Sequence, residues 1–450
     1  MNMVFFRAAF FFVLLPALAG CVKKASPAEV EALCQYQLTE ANQVLTEVIM
    51  NDVFTPPVAS RIYAYANVAA YEAMQSGHPS FTSLAEQLNG LSAMPAPDPN
   101  KIYAFPVASQ VAFIEVASQL VFTEEKLGEY LKGYLKKMEK SGVDKEVLRA
   151  SVTYGKEVAQ HISAWMHADG YRKTRGQRHT VSSTPGKWRP TAPDFMEAIE
   201  PHWAHIRPFV LDSANQFFPK QTPSFDTIPG SAFYQETMEV YQAVKNMNAE
   251  QEAIARYWDC NPNIAFVRGH VKYYKQQLSP GGHWISIACI AAANEKFSAL
   301  EHAQVLSLVS IALADGFISC WNTKFTTDVI RPETYIERYI DKSWRPLLQT
   351  PAFPEYTSGH SVISSSAATA LSHVFGSQYA FTDTSQVSFG LPSRHFSSFV
   401  AAAEEAALSR LYGGIHYRPA IEHGKEQGKQ VGNLVAGKLS FRKEGPLARK

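Results

Sequence analysis

An all-α protein, a large helical bundle, is what the sequence predicts, on three observations. Apolar residues recur at helical spacing through most of the chain, no series of alternating apolar and polar runs marks a set of strands, and no segment repeats. Hydrophobic residues make up 46% of the 450 residues and charged residues 18%, below the about 25% of an ordinary soluble domain. Such a chain buries a sizeable core, and its thin charge leaves room for surface covered in a homo-oligomer. Extended disorder is excluded. Forty-two basic against 41 acidic residues give a net charge of +1, so the composition carries no footprint of a nucleic-acid partner.

From the N-terminus, residues 1–20 hold one Arg, a short apolar run and then small residues. That pattern predicts a secretory signal peptide, the run being too short for a comfortable membrane span. It ends in Leu18-Ala19-Gly20-Cys21, which resembles the lipobox of bacterial lipoproteins. The resemblance implies cleavage before Cys21 and acylation of its thiol; an ordinary signal peptide with an incidental cysteine is the plainer alternative. Residues 21–29, with Lys23, Lys24, Ser26 and Pro27, then read as a tether. The expectation is an exported bacterial lipoprotein held at a membrane by its lipid alone, on the periplasmic side or at the outer membrane.

Residues 30–229 form an N-terminal helical region with one long loop, and residues 230–450 a C-terminal helical region. Helical spacing covers 36–50, 57–75, 107–121, 124–140 and 144–167 in the first, and 231–247, 284–297, 301–320, 360–375, 395–412 and 419–438 in the second. Ser298 with Glu301 is a capping-box pattern opening one of these, and Pro419 suits the start of another. Between about 168 and 229 the periodicity breaks in a stretch rich in Pro, Thr, Ser and aromatics. A loop this long in a compact protein is usually a wall or lid over a site, and Trp188, Phe195, Trp203, Phe209, Phe217 and Phe218 are expected to bury. Gly424, Gly428 and Gly432 form an i, i+4 row that predicts close packing of the last helix on another backbone. Cys34, Cys260, Cys289 and Cys320 form no CxxC pair. One or two disulfides, or buried free thiols, both fit.

Three segments in the last third carry chemistry. In Lys324-FTTDVI-Arg331-Pro332 the seven-residue spacing is about two helical turns, so both cations are expected on one helix face, with Pro332 stopping the helix behind them. In Phe353-Pro354-Glu355-Tyr356-Thr357-Ser358-Gly359-His360 a hydroxyl, a glycine amide and an imidazole meet at a helix N-terminus, which favours anions. In Ser409-Arg410-Leu411-Tyr412-Gly413-Gly414-Ile415-His416 a cation and an imidazole bracket a helix end. Singly, each has a plainer reading as a solvated face, a cap or a partner for terminal carbonyls. Together they supply charge-assisted donors in the number a four-oxygen anion requires.

The ordered set KxxxxxxRP, SGH and SRxxxGxH resembles the superfamily of vanadium-dependent haloperoxidases and type-2 phosphatidic-acid phosphatases. Trp321 and Phe353 make it similar to the haloperoxidase branch, especially bacterial lipoprotein members that include iodoperoxidases. The resemblance implies that superfamily's helical bundle, vanadate as cofactor, and halide and hydrogen peroxide as substrates. It implies that Lys324, Arg331 and Arg410 neutralise vanadate oxygens, with Ser358 and the Gly359 amide donating further hydrogen bonds. His416 is then the axial ligand of the metal, His360 the acid–base group, and Trp321 and Phe353 the lining of the halide pocket. Many members, phosphatases in particular, have an aspartate four residues after that ligand, where this chain has Ala420. Without a carboxylate, unless Asp315 or Glu422 substitutes, an acid phosphatase with His416 as nucleophile is the weaker reading. A non-enzymatic oxyanion-binding lipoprotein is the third. Thr357 stands in place of the usual proline.

Lesser candidates surround this set. His283, Tyr257 and Asn263 are weak candidates for the pocket, and Lys187-Trp188-Arg189-Pro190 for its mouth. Asp315 is expected to face another neighbour, and Asp328 to pair with Lys324 along the helix. No G-x-S-x-G, Walker A, G-x-G-x-x-G or H-E-x-x-H motif occurs.

Overall fold

The computed structural model describes residues 25–262, 265–268, 271–274 and 277–443; the expected leader, Cys21 and Asn263 lie outside them. The N-terminal part builds α1 (Pro27–Leu33), α2 (Gln37–Asn51), α3 (Pro56–Gln75), α4 (Phe105–Ser118), α5 (Glu125–Lys140), α6 (Lys145–His167) and α7 (Tyr171–Thr174). The C-terminal part builds α8 (Ala232–Lys245), α9 (Ala249–Tyr257), α10 (Pro280–Asn294) and α11 (Ala299–Thr327). It continues with α12 (Pro332–Tyr339), α13 (Gly359–Phe375), α14 (Phe399–Tyr412) and α15 (Arg418–Lys438). Two antiparallel strand pairs complete the described residues, β1 (Ala265–Arg268) with β2 (Val271–Tyr274) and β3 (Phe381–Asp383) with β4 (Arg394–Phe396). All eleven stretches of helical spacing contain a helix, but the one expected from residue 395 starts in β4 and turns helical only at Phe399. The helices that escaped the spacing pattern, α1, α7, α9 and α12, are four to nine residues long, too short to display a period.

The longest helix organises the rest. α11 is 29 residues long, and although it is apolar enough to cross a membrane, its most apolar 18-residue window is wholly buried in protein. The capping box expected at its start is present: Ser298 N–H donates to Glu301 Oε2 at 2.9 Å, and Glu301 N–H to Ser298 Oγ at 3.3 Å. It packs against α3 and α13, and α13 packs in turn against α14 and α15. One continuous core runs from Leu38 to Phe441. The glycine row lets α15 lie directly on α13. A Cβ at Gly428 would stand 2.1 Å from the Val362 carbonyl oxygen, and one at Gly432 2.5 Å from that of Ser366. The described cysteines Cys34, Cys260, Cys289 and Cys320 are buried free thiols, with no disulfide among them.

The long loop is anchored rather than loose. Buried Asp315 of α11 accepts the N–H groups of Phe209, Val210 and Leu211 at 2.7, 2.7 and 3.0 Å. Trp188, Trp203 and Phe209 are buried and Phe217 half-buried. Phe195 and Phe218 depart from the expectation, at 66% and 40% exposure. Phe195 has φ 45° in a turn that its own N–H closes on the Thr191 carbonyl, which carries its ring away from the core.

Candidate active site

The spacing argument for Lys324 and Arg331 needs correction. α11 stops at Thr327, and Asp328 takes a left-handed conformation, φ 54°, to end it. Ile330 N–H then donates to Gly186 O, and Arg331 becomes the N-cap of α12 with Pro332 behind it. The two cations converge through this turn and not along one helix face. Asp328 is not the partner of Lys324 either. The buried Lys324 Nζ donates to the carbonyls of Pro354 and Glu355, each at 3.0 Å, while Asp328 faces the charge of Lys187.

Arg331 is wholly buried. Its Nε donates to Phe353 O at 2.8 Å and its Nη1 to Ile415 O at 2.9 Å, and Nη1 stands 3.2 Å from His416 Nε2. Its Nη2 has no protein partner. Arg410, in the last turn of α14, spends Nη2 on the carbonyls of Trp258 and Ala255 at 2.8 and 3.2 Å. Ser358 caps α13 by accepting Ser361 N–H at 3.3 Å, which leaves its O–H proton to donate; its own N–H donates to Ala420 O. One cavity of about 40 Å³ is lined by Trp321, Phe353, Gly359, His360, Arg410 and His416, room for a few water-sized groups and far below the size of a drug-like ligand site. Lys324 and Arg331 sit under its aromatic wall, at 4.9 and 5.0 Å from the Phe353 ring centre. Ile199 of the long loop also lines it, and Trp321 Nε1 donates to the Ile199 carbonyl. Of the lesser candidates, Tyr257 lies behind the cavity with its hydroxyl on Asp383 O, and His283 is buried in a pair with Asp383.

The carboxylate that Ala420 lacks is supplied by Glu355. Its Oε1 lies 2.8 Å from His416 Nδ1 and accepts Tyr417 N–H at 2.9 Å. Neither Asp315, which holds the loop, nor Glu422, exposed and paired with Lys425, takes that place. Glu355 belongs to the second motif, 61 residues before His416, so no spacing along a single helix links the two. With Nδ1–H donating to Glu355, the ring presents the Nε2 lone pair to the cavity.

Electrostatics make the cavity a trap for an anion. Burial lowers Lys324 to about 7 and Arg331 to about 10. Burial, and then the neighbouring cations, hold His360 and His416 well below the usual imidazole range, so both rings are neutral near pH 7. Burial also lifts Glu355 to about 7. Cations crowded out of water with one carboxylate among them gain most from a multiply charged guest. The donor set fits a tetrahedral oxyanion bonded to one imidazole: Arg331 Nη2 and His360 Nε2 are buried polar atoms without a protein partner, and among the described residues the only protein neighbour of His416 Nε2 is Arg331 Nη1, a donor that can turn to an anion instead.

Comparison with known proteins gives the same picture. The family model described as the second helical-bundle domain of VCPO matches residues 338–444, which include Ser358, His360, Arg410 and His416. The structure of a bacterial vanadium-dependent iodoperoxidase superposes with a TM-score of 0.86 at 44% identity, over 91% of this chain and 97% of that one. A bacterial vanadium-dependent chloroperoxidase in its holo form superposes with a TM-score of 0.65 at 16% identity, over 86% and 93%, a likeness of fold. No curated protein sequence matches. Identity of this extent over nearly the whole chain means that the protein belongs to the vanadium-dependent haloperoxidase family.

Proposed function

We propose that the protein is a vanadate-dependent haloperoxidase that oxidises halide with hydrogen peroxide to a hypohalous species. Iodide and bromide are preferred, being easier to oxidise than chloride. The observation that carries this reading is the buried, unpartnered pair of Arg331 Nη2 and His360 Nε2 beside the His416 ring, whose Nδ1 is held by Glu355. Vanadate held there supplies a Lewis acid that activates peroxide without changing its own oxidation state. Lys324, Arg331 and Arg410 hold its oxygens, Ser358 and the Gly359 amide donate to it, and His416 Nε2 is the metal ligand. His360, neutral and with Nε2 unpaired, takes a proton from arriving peroxide and returns it to the departing oxygen. The fixed cations meet the negative charge that builds on that oxygen. Trp321 and Phe353, with ring centres 4.9 Å apart, form an apolar wall that lets halide shed water before it reacts. The likeness to a bacterial iodoperoxidase supports iodide as the first substrate. The Leu18–Cys21 segment supports export and attachment to a membrane by lipid.

The test is to load the purified protein with vanadate and follow halide oxidation, beside phosphomonoester cleavage without vanadate. The second assay has a specific motive, since Glu355 beside His416 is also what a nucleophilic histidine requires. Phosphate release inhibited by vanadate, with no halide oxidised, would overturn the proposal. His416→Ala is expected to abolish vanadium binding, whereas His360→Ala retains binding and loses turnover. Equal vanadium content in wild type and His416→Ala would remove His416 as the ligand.

A further inference from the structure

Cys260 stands apart from the other described thiols. Cys260 follows α9 directly and lines the active-site cavity with His360, Arg410 and His416. Its Sγ lies 3.4 Å from His283 Nδ1, and the other nitrogen of that ring lies 2.6 Å from Asp383 Oδ2. Gln386 Nε2 reaches the same sulfur at 3.8 Å. His283 and Asp383 have no solvent exposure, and Trp258 stacks on the imidazole at 4.5 Å, so the ring is held in place. A sulfur, an imidazole and a carboxylate in sequence form the arrangement that activates a nucleophile, with a ring to exchange protons at the sulfur and a carboxylate to orient and charge that ring. Halide oxidation has no use for this triad, yet one end of it opens into the cavity where the product forms.

We propose that Cys260 is an oxidation site, modified by the hypohalous product before that product leaves the cavity, with His283 and Asp383 activating the sulfur. The proposal rests on the haloperoxidase reading. The sulfur attacks the halogen of the hypohalous acid; the sulfur–halogen bond forms as the halogen–oxygen bond breaks, the protonated His283 gives its proton to the departing hydroxide to make water, and the thiol proton then replaces it on the ring. A second water then attacks the sulfur and expels halide with a proton, leaving a sulfenic acid. The thiol has lost two electrons, and the halogen has returned to halide. The sulfur lies within electrostatic reach of the Arg410 guanidinium. An oxygen placed on it competes for a cation that the oxyanion needs, so the enzyme limits its own turnover.

The vanadate-loaded protein would be run to the loss of activity with iodide and peroxide, and its cysteine peptides then weighed after alkylation of the remaining thiols. Cys260 should gain one oxygen in the complete mixture and not when iodide or vanadate is omitted. Asp383→Asn should take up that oxygen several-fold more slowly per mole of halide oxidised. Cys260→Ala, scaled to its own initial rate, should stay active longer. Equal oxidation of Cys260 by peroxide alone, or an inactivated enzyme whose Cys260 is intact, would overturn the proposal. If no halide is oxidised, the functional reading fails on that rate. Chemically prepared hypoiodite added to the same protein then still decides the matter: modification of Cys260 ahead of the other cysteines supports the site, and absence of any preference sinks it.

Discussion

A single carboxylate, that of Glu355, holds the His416 ring. It lies between Phe353 and Ser358, accepts from the His416 ring and the Tyr417 N–H, and so decides which imidazole nitrogen faces the anion. Glu355→Gln keeps the shape and loses the charge, and loss of such a partner typically weakens metal binding by about 10–100-fold. Calorimetric titration of vanadate into the apo-protein checks this, and a wild-type affinity for the variant would contradict it. The pair His283–Asp383 gives a pH signature. Burial opposes charge on His283, but Asp383 and Cys260 outweigh it and lift the imidazole from 6.5 to about 10. Between those values the native state holds a proton that the unfolded chain has released. The pair's contribution is therefore whole below about pH 6.5 and is lost as pH rises to about 10. The gap in melting temperature between wild type and His283→Gln should shrink across that window; a constant gap would argue against a charged pair.

At the scale of elements, periodicity served well because α2 to α6, α8, α10, α11 and α13 to α15 each bury a broad face over several turns. It failed where a chain reversal replaces a helix. Lys324 and Arg331 match the spacing of one helix face, but the αL residue Asp328 and the pairing of Val329 with Lys187 of the long loop turn the chain between them. Only a strand-like contact from more than a hundred residues upstream shows this. The glycine row was legible, since nothing but close backbone approach explains glycine every fourth residue in a helix. Gly428→Ala sets a Cβ 2.1 Å from the Val362 carbonyl and should destabilise by about 1–3 kcal/mol as α15 is pushed off α13. Gly437, with open space around it, is the control and should tolerate alanine or gain slightly from it. Thermal unfolding of both variants measures the difference, and equal behaviour would refute the close-packing account.

For the whole molecule, the long loop, the helical core and the anion site form one construction. Asp315 at the middle of α11 binds the loop backbone at residues 209–211, and the same loop presents Ile199 to the cavity and receives the Trp321 indole N–H. The aromatic wall thus depends on a segment with no regular structure. Attachment is a separate matter. The Leu18–Cys21 segment predicts that Cys21→Ser moves the protein from the membrane fraction to the soluble fraction while halide oxidation per mole is kept. Fractionation of cells expressing each form checks it, and unchanged partitioning would dismiss the lipid anchor.

The sequence by itself determined the helical class, most helix positions and the residue types of the anion site, because amphipathic period and short donor motifs are local properties of a chain. Tertiary structure alone decided how Lys324 and Arg331 meet, that Glu355 sets the His416 ring, and that a Cys260–His283–Asp383 triad backs the cavity. Each of these is a contact between residues distant along the chain, and its partners are chosen by which surfaces the core brings together when it excludes water.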